Sequence, residues 1–390
     1  MSYLINAYAR LPIRVTHGEG AWLIAEDGRR LFDAISGIGV CSLGHSHPDI
    51  SQTIAEQASR LIHTSNTVEL PLQEALAERL CRLSGMEHGF FANSGAEANE
   101  CAIKLSRLHA QKKGIKNPKL LVFEGGFHGR TMGCISASEG NKLRSGFEPL
   151  LEGFHCLPFG SLDAVREAGD QHSDIVAIML EPIQGEGGVV LPPAGYLAGL
   201  RALCDQHDWL LIADEVQTGI GKTGDWVACN HEQTSPDVLT VAKALGNGFP
   251  VAACLTRGQA SALITPGKHG STWGGNPLGC AVGLSVLDVM QRDGLLQRAR
   301  DAGGRLQTQL RDGLAGIEAV REVRGRGLMI GIELDRPCSE IRDHALKQDV
   351  LINITRDSRI RLLPPLICSD AEYQRLGEVV IESVRAFLDH

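Results

Sequence analysis

Between residues 85 and 280 the chain alternates helical stretches with short apolar runs, each closed by a small or polar cluster: GFFANSG, LLVFEGG, IVAIMLEP, LLIADE and VLTVAK. Their apolarity is continuous rather than alternating. A strand of that kind is covered on both faces, so the runs predict a mostly parallel sheet clothed by helices, an α/β architecture. Ligands of such sheets lie in the crevice at the carboxyl ends of the strands. The residues that close the runs are therefore the first candidates for a site.

The flanks read differently. WLIAEDGRRLFD places Asp27-Gly28 between two strand-like pieces and predicts a hairpin. VRGRGLMIGIEL (323–334) and IRLLPPL (360–366) are strand-like, separated by a helical segment, and the amphipathic stretch EYQRLGEVVIESVRAFLDH follows them. We read a large domain over 46–281 and a smaller α+β domain built from 1–45 and 282–390. No internal repeat or low-complexity tract is visible.

Charge narrows the partners. Lys and Arg total 38 against 46 Asp and Glu, a net charge of -8, and no basic cluster stands out along the sequence. That disfavours nucleic acid and anionic membranes. MSYLINAYARLPIRV lacks a charged-then-apolar leader pattern and the apolar runs are too short to span a bilayer, so a cytoplasmic protein is expected. Eleven Cys without a Cys-x-x-Cys pair read as reduced thiols, with no metal site expected. His45 and His47, two apart in a loop, read as turn and core histidines rather than a metal pair.

LLIADEVQTGIGKTG (210–224) raises a nucleotide hydrolase reading, with Asp214-Glu215 as a Walker B end and Lys222 on phosphate. A P-loop needs glycine five positions before Gly221, and Val216 stands there. The order also fails, because a P-loop normally precedes the Walker B strand. A different chemistry fits the strand ends. Lys243 directly follows VLTVA, and a lysine partly withdrawn from water favours its neutral, nucleophilic form. Asp214 closes another run, although a lone strand-end Asp is often only a cap or turn residue. Ser94 with Glu97 three residues on is a capping box, which starts a helix whose free N–H groups face the crevice. A lysine for an aldehyde, an acid for a ring nitrogen and a phosphate cradle together describe the needs of pyridoxal 5'-phosphate.

The ordered set NSGAEANE, FHGRTMG, EPIQGEGG, DEVQTGIGKTG, AKALGNGFP, HGSTWGGNP and RGRGLMIGIEL resembles the class III (subgroup II) pyridoxal-phosphate aminotransferases, of fold type I, over essentially the whole chain. The resemblance implies that Lys243 carries the cofactor covalently and later moves the proton, and that Asp214 faces the pyridine nitrogen. It implies cofactor contacts from Ser94, Gly95 and Ala96 to the phosphate, from Val216 and Phe127 to the two ring faces, and from Gln217 to the phenolic oxygen. Ala96 stands where relatives often carry Thr. A homodimer with shared sites is implied, in which Thr272 of the partner subunit completes the phosphate cradle. His128 reads as structural.

For substrates, the resemblance assigns Arg130 to the carboxylate distal to the reacting amine, Arg361 to the α-carboxylate of 2-oxoglutarate or glutamate, and Ser271 to the substrate pocket. Glu186 becomes a gate that neutralises Arg361 when the donor's reacting end has no carboxylate. The implied reaction moves the terminal amine of N-acetylornithine to 2-oxoglutarate, a step of arginine biosynthesis. GIGVCSLGHSHP resembles the small aliphatic residues of family members that leave room for an acyl group, whereas Trp273 replaces a familiar Tyr. Succinylornithine, succinyl-diaminopimelate, ornithine and 4-aminobutyrate are the alternative donors. A catalytically retired binding protein is the remaining alternative, against which Lys243, Asp214 and Arg361 all stand.

Overall fold

A computed structural model describes residues 3–389. Its centre is a seven-stranded sheet in the spatial order His88–Ala92, Ala252–Thr256, Val238–Val241, Leu210–Asp214, Ile175–Leu180, Lys119–Phe123 and Phe154–Leu157. Ala252–Thr256 runs antiparallel to both its neighbours, and the other pairings are parallel. The Lys119–Phe123 strand shows why its run is apolar throughout. Leu120 and Val122 enter a core under the helix Gly95–Lys112, while Leu121 and Phe123 enter a core with Leu197 and Leu200 of the helix Tyr196–His207.

Two strands were not legible as apolar runs. Phe154–Leu157 carries polar His155 at the sheet edge, and Ala252–Thr256 is built largely of small residues. The segment 323–334 corrects a single-strand reading, because it falls in two antiparallel strands, Val320–Arg326 and Met329–Leu334. Gly327 turns between them at φ 55, and a Cβ there would lie 2.5 Å from the Thr223 main chain. The second strand-like piece ends early too: the strand is Arg359–Leu362, before the two prolines.

The hairpin at Gly28 pairs Trp22–Ala25 with Arg30–Asp33, and Arg30–Asp33 then takes Val350–Leu351 as a parallel neighbour. This pairing binds the first part of the chain to the last, and on it we propose the division into 46–281 and the two flanking segments. The helix Asp370–Leu388 starts with a full capping box, Ser369 with Glu372. It packs Leu376, Val380 and Val384 into the core that also holds Ile330 and Ile360. Among the described residues no helix is long and apolar enough to cross a membrane.

Candidate active site

Strand ends build the site. After Ala92 the chain turns through Asn93 into Ser94, whose hydroxyl accepts a hydrogen bond from Glu97 N at 3.2 Å and starts the helix Gly95–Lys112. The other arm of the anticipated capping box goes elsewhere. Glu97 Oε2 accepts from the main-chain N (2.7 Å) and side-chain Nδ2 (2.8 Å) of Asn93, so it steadies the turn before the cap. The first-turn N–H groups of Gly95 and Ala96 have no intrahelical acceptor and border a cavity of about 300 Å³. Glycine at 95 has a steric cause: a Cβ would meet Val216 Cγ1 at 2.6 Å.

Asp214 closes its strand at the back of this cavity, buried and fully engaged. Its Oδ1 accepts from Val216 N at 3.1 Å, and its Oδ2 accepts from Asn99 Nδ2 at 2.8 Å and from His128 Nδ1 at 2.7 Å. Asn99 in turn accepts from Thr240 Oγ1 at 2.7 Å and donates to the His128 carbonyl at 2.8 Å. Burial works against a charged His128, but the hydrogen bond and charge of Asp214 outweigh it and raise the imidazole above its ordinary value. A network in which each polar atom is matched holds its members in one geometry. Glu181, also buried, accepts from Phe127 N and Gly185 N, both at 2.9 Å. Burial and then the charge of Asp214 push its carboxyl up to about 7, against the opposing effect of His128 and these N–H groups.

Lys243 stands where the Val238–Val241 strand gives way to a single 3₁₀ turn, with φ at 43. A lysine held in the left-handed region is strained, and such strain gathers at functional sites. Lys243 is half-buried and borders two cavities, the inner one and a larger outer one of about 750 Å³. Burial pushes its ammonium below the ordinary lysine range; Glu186 resists this and Arg361 reinforces it. The neutral amine so favoured is a nucleophile.

Ser94, Gly95, Ala96, Phe127, Asp214, Val216, Gln217 and Lys243 all line the inner cavity. Phe127, Lys243, Arg130 and Glu186 line the outer one, beside Gly37 and Ile38. Arg130 is exposed, with its guanidinium 5.7 Å from the centre of the Phe127 ring. Arg361 is only 1% exposed. It donates to Glu186 Oε1 at 2.6 Å, to Gln217 Oε1 at 3.2 Å and to Asn353 Oδ1 at 2.7 Å. Burial alone would raise the Glu186 carboxyl, but the charge and hydrogen bond of Arg361 hold it below its ordinary range. An Arg361 stripped of its partner would be costly, about 3–5 kcal/mol for a buried pair broken on one side.

Ser271 Oγ accepts from Gly274 N at 2.9 Å and from Asn93 Nδ2 at 3.4 Å, which places it beside the inner cavity without lining it, and Thr272, anticipated at the partner subunit's phosphate, is exposed and borders neither cavity of this chain. The P-loop reading loses its residue as well. Lys222 is fully buried and donates to the Pro364 carbonyl at 3.1 Å, so it has no face to offer a phosphate. His45 pairs with Asp33 at 2.9 Å. Sequence reasoning missed Asn99, Glu181 and Asn353. Asn99 had a signal, an amide among alanines in a helix interior, where Asn is disfavoured. Asn353 had none, because it meets Arg361 only through the register of two antiparallel strands.

Several features fit pyridoxal 5'-phosphate. The inner cavity lies between Phe127 and Val216, has helix N–H groups at one end and a buried carboxylate at the back, and is bordered by the neutral-leaning Lys243 amine. Gln217 Nε2 is a buried donor with no partner among the described residues, as a group awaiting an acceptor would be.

The family model described as aminotransferase class-III matches residues 3–384. An acetylornithine aminotransferase of Nitrosomonas europaea is 48% identical over 389 residues, covering 100% of this chain and 99% of the relative. An ornithine aminotransferase structure from Toxoplasma gondii, described with partial occupancy of PLP at the active site, is similar with a TM-score of 0.95 and 32% identity, over 99% of this chain and 93% of that one. The N-acetylornithine aminotransferase structure from Stenotrophomonas maltophilia gives a TM-score of 0.85 and 34% identity over 98% of both chains.

Proposed function

The chain belongs to the class-III aminotransferases, pyridoxal-phosphate enzymes, and from that premise we propose that it moves the terminal amino group of N-acetylornithine to 2-oxoglutarate, leaving N-acetylglutamate 5-semialdehyde and glutamate. The observation that carries the donor is the 48% identity, end to end, with an acetylornithine aminotransferase. The bound cofactor supplies an aldehyde that takes up the amine and a ring that draws electrons from the neighbouring carbon.

The protein's own residues do the rest. The N–H groups of Gly95 and Ala96 would hold the phosphate, with Ser94 beside them. Asp214, oriented by its hydrogen bonds from Asn99 and His128, would face the ring nitrogen and favour a proton on it. Val216 and Phe127 would flank the ring, and Gln217 Nε2, unpartnered among the described residues, would donate to its phenolic oxygen. Lys243 Nζ would accept the proton from the substrate carbon and return it. Arg130 has no carboxylate within 4.0 Å among the described residues, which leaves it for the donor's carboxylate. Glu186 covers Arg361 while the terminal amine reacts and swings aside for the α-carboxylate of the oxo acid. In the outer cavity, Gly37, Ile38 and Gly140 leave space for an acyl group.

A homodimer would bring the partner subunit's Thr272 to this phosphate. Trp273, Ile62 and Val68 support it: they are 64%, 56% and 54% exposed, and Asn66 ties their segments together through the Ser271 and Gly274 carbonyls. Such a patch beside Thr272 needs covering. Light scattering at twice the chain mass is the expected result.

Ornithine is the second reading, favoured by the TM-score of 0.95 with an ornithine enzyme. Comparing kcat/KM for the two donors decides between them. A clear preference for N-acetylornithine supports the proposal; equal or greater efficiency with free ornithine overturns it.

A further inference from the structure

The sequence shows no run of basic residues, yet folding assembles a basic recess away from both active-site cavities. Lys104, Arg107, Leu108 and Gln111 share one face of the helix Gly95–Lys112, following its three- and four-residue spacing. Ile115, Lys116 and Pro118 come from the turn after that helix, and Lys268 from a loop far along the chain. Together they line a cavity of about 640 Å³, within the size range of small-molecule sites. Four cations border it and no carboxylate does.

The four positive charges are not balanced locally. Among the described residues none of them lies within 4.0 Å of a carboxylate. Lys104 Nζ is 3.1 Å from His269 Nδ1, and its ammonium can only donate there. Arg107 Nη2 donates to the main-chain carbonyl of Glu152 at 3.0 Å, which aims the guanidinium without neutralising it. Among the described residues the side-chain amines of Lys116 and Lys268 make no hydrogen bond. In a chain of net charge -8, a concave grouping of unmatched cations concentrates positive potential. The floor between them, Leu108, Ile115 and Pro118, is apolar.

We propose that this recess binds a small organic anion with two or more negative charges and a planar or apolar body, the chemistry of a nucleoside diphosphate. The anionic groups meet Lys104, Arg107, Lys116 and Lys268, and the body rests on Leu108, Ile115 and Pro118. Inorganic phosphate lacks the second half of this recognition.

The test is calorimetric titration of the pyridoxal-phosphate-loaded protein with ADP and, separately, with inorganic phosphate. Saturable binding of one ADP per chain is expected, about tenfold or more tighter than phosphate and weakening as salt rises. Lys116→Ala, which removes no hydrogen bond, and the double variant Arg107→Ala/Lys116→Ala should weaken ADP binding about threefold and about tenfold or more, with the visible spectrum and Tm unchanged. No saturable binding, equal affinity for phosphate, full affinity in the double variant, or loss of the cofactor's visible band on adding ADP would each overturn the proposal. So would preferential binding of polyuridylate through the same residues, which would make the recess a nucleic-acid surface.

Discussion

Two lysines in this protein are withdrawn from water, Lys222 completely and Lys243 in part, and burial pushes both below the ordinary lysine range, yet their surroundings differ in kind. Lys222, lowered to about 8, is closed in on every side and donates a hydrogen bond to the Pro364 carbonyl. Lys243 sits on a strained 3₁₀ turn between two cavities, near the carboxylates of Glu186 and Asp214. Desolvation makes an amine ready to react; access decides whether it does. The pair also explains how a Gly-Lys-Thr string in one region imitates a phosphate loop while the chemistry lies in another.

The comparison is broken most directly at Lys243. Lys243→Ala should lose turnover by roughly 10⁴-fold or more, together with the visible absorbance of the loaded protein, whatever the donor. A variant that turned over like the parent would place the chemistry elsewhere. Next comes the charge beside it. Glu186→Ala leaves Arg361 positive when the terminal amine arrives, so KM for the donor should rise about tenfold while KM for 2-oxoglutarate stays level or falls, read from steady-state kinetics with each substrate varied. A parallel loss for both substrates would deny Glu186 its gating role.

The Lys222 region should respond in stability rather than rate. Lys222→Met leaves the Pro364 carbonyl without its donor and should cost about 1–3 kcal/mol in urea unfolding, with turnover kept within about twofold. A nucleotide-hydrolase site would show the opposite pattern. The smallest effect lies beside Lys222, at Asp33, which pairs with His45. Its hydrogen bond raises the imidazole from 6.5 to about 9. The contribution to stability is therefore complete below pH 6.5 and disappears as pH rises through about 9. Part of the ring meets solvent, which reduces the effect to about 1 kcal/mol. His45→Gln should be less stable than the parent by that amount at pH 6 and indistinguishable from it at pH 10; a constant difference across that range would remove His45 as its source.

Lys243 and Asp214 could be singled out in the sequence because each directly ends a short, mostly apolar run, and the α/β class follows from the same runs. Strand Ala252–Thr256 escaped because its side chains are small, and the turn at Gly327 because two strands joined by so short a link look like one. Partners that depend on register or on distant segments left no local trace. Asn353 reaches Arg361 across a strand pair, and Lys268 lines one recess with Lys104 from a loop far along the chain, whereas Glu181 did carry a signal, closing the apolar run Ile175–Leu180. Thr272, exposed and outside both cavities of this chain, stands where a residue serving a partner subunit's site would.

The most direct measurement is the visible absorbance spectrum of the purified protein with pyridoxal phosphate, followed on adding N-acetylornithine and then 2-oxoglutarate. A band that bleaches with the donor and returns with the oxo acid is the predicted result, since it requires Lys243, the cofactor and both substrate carboxylate sites to act in turn. A protein that stays colourless with pyridoxal phosphate, or a band indifferent to every amine donor, would contradict the account at its centre.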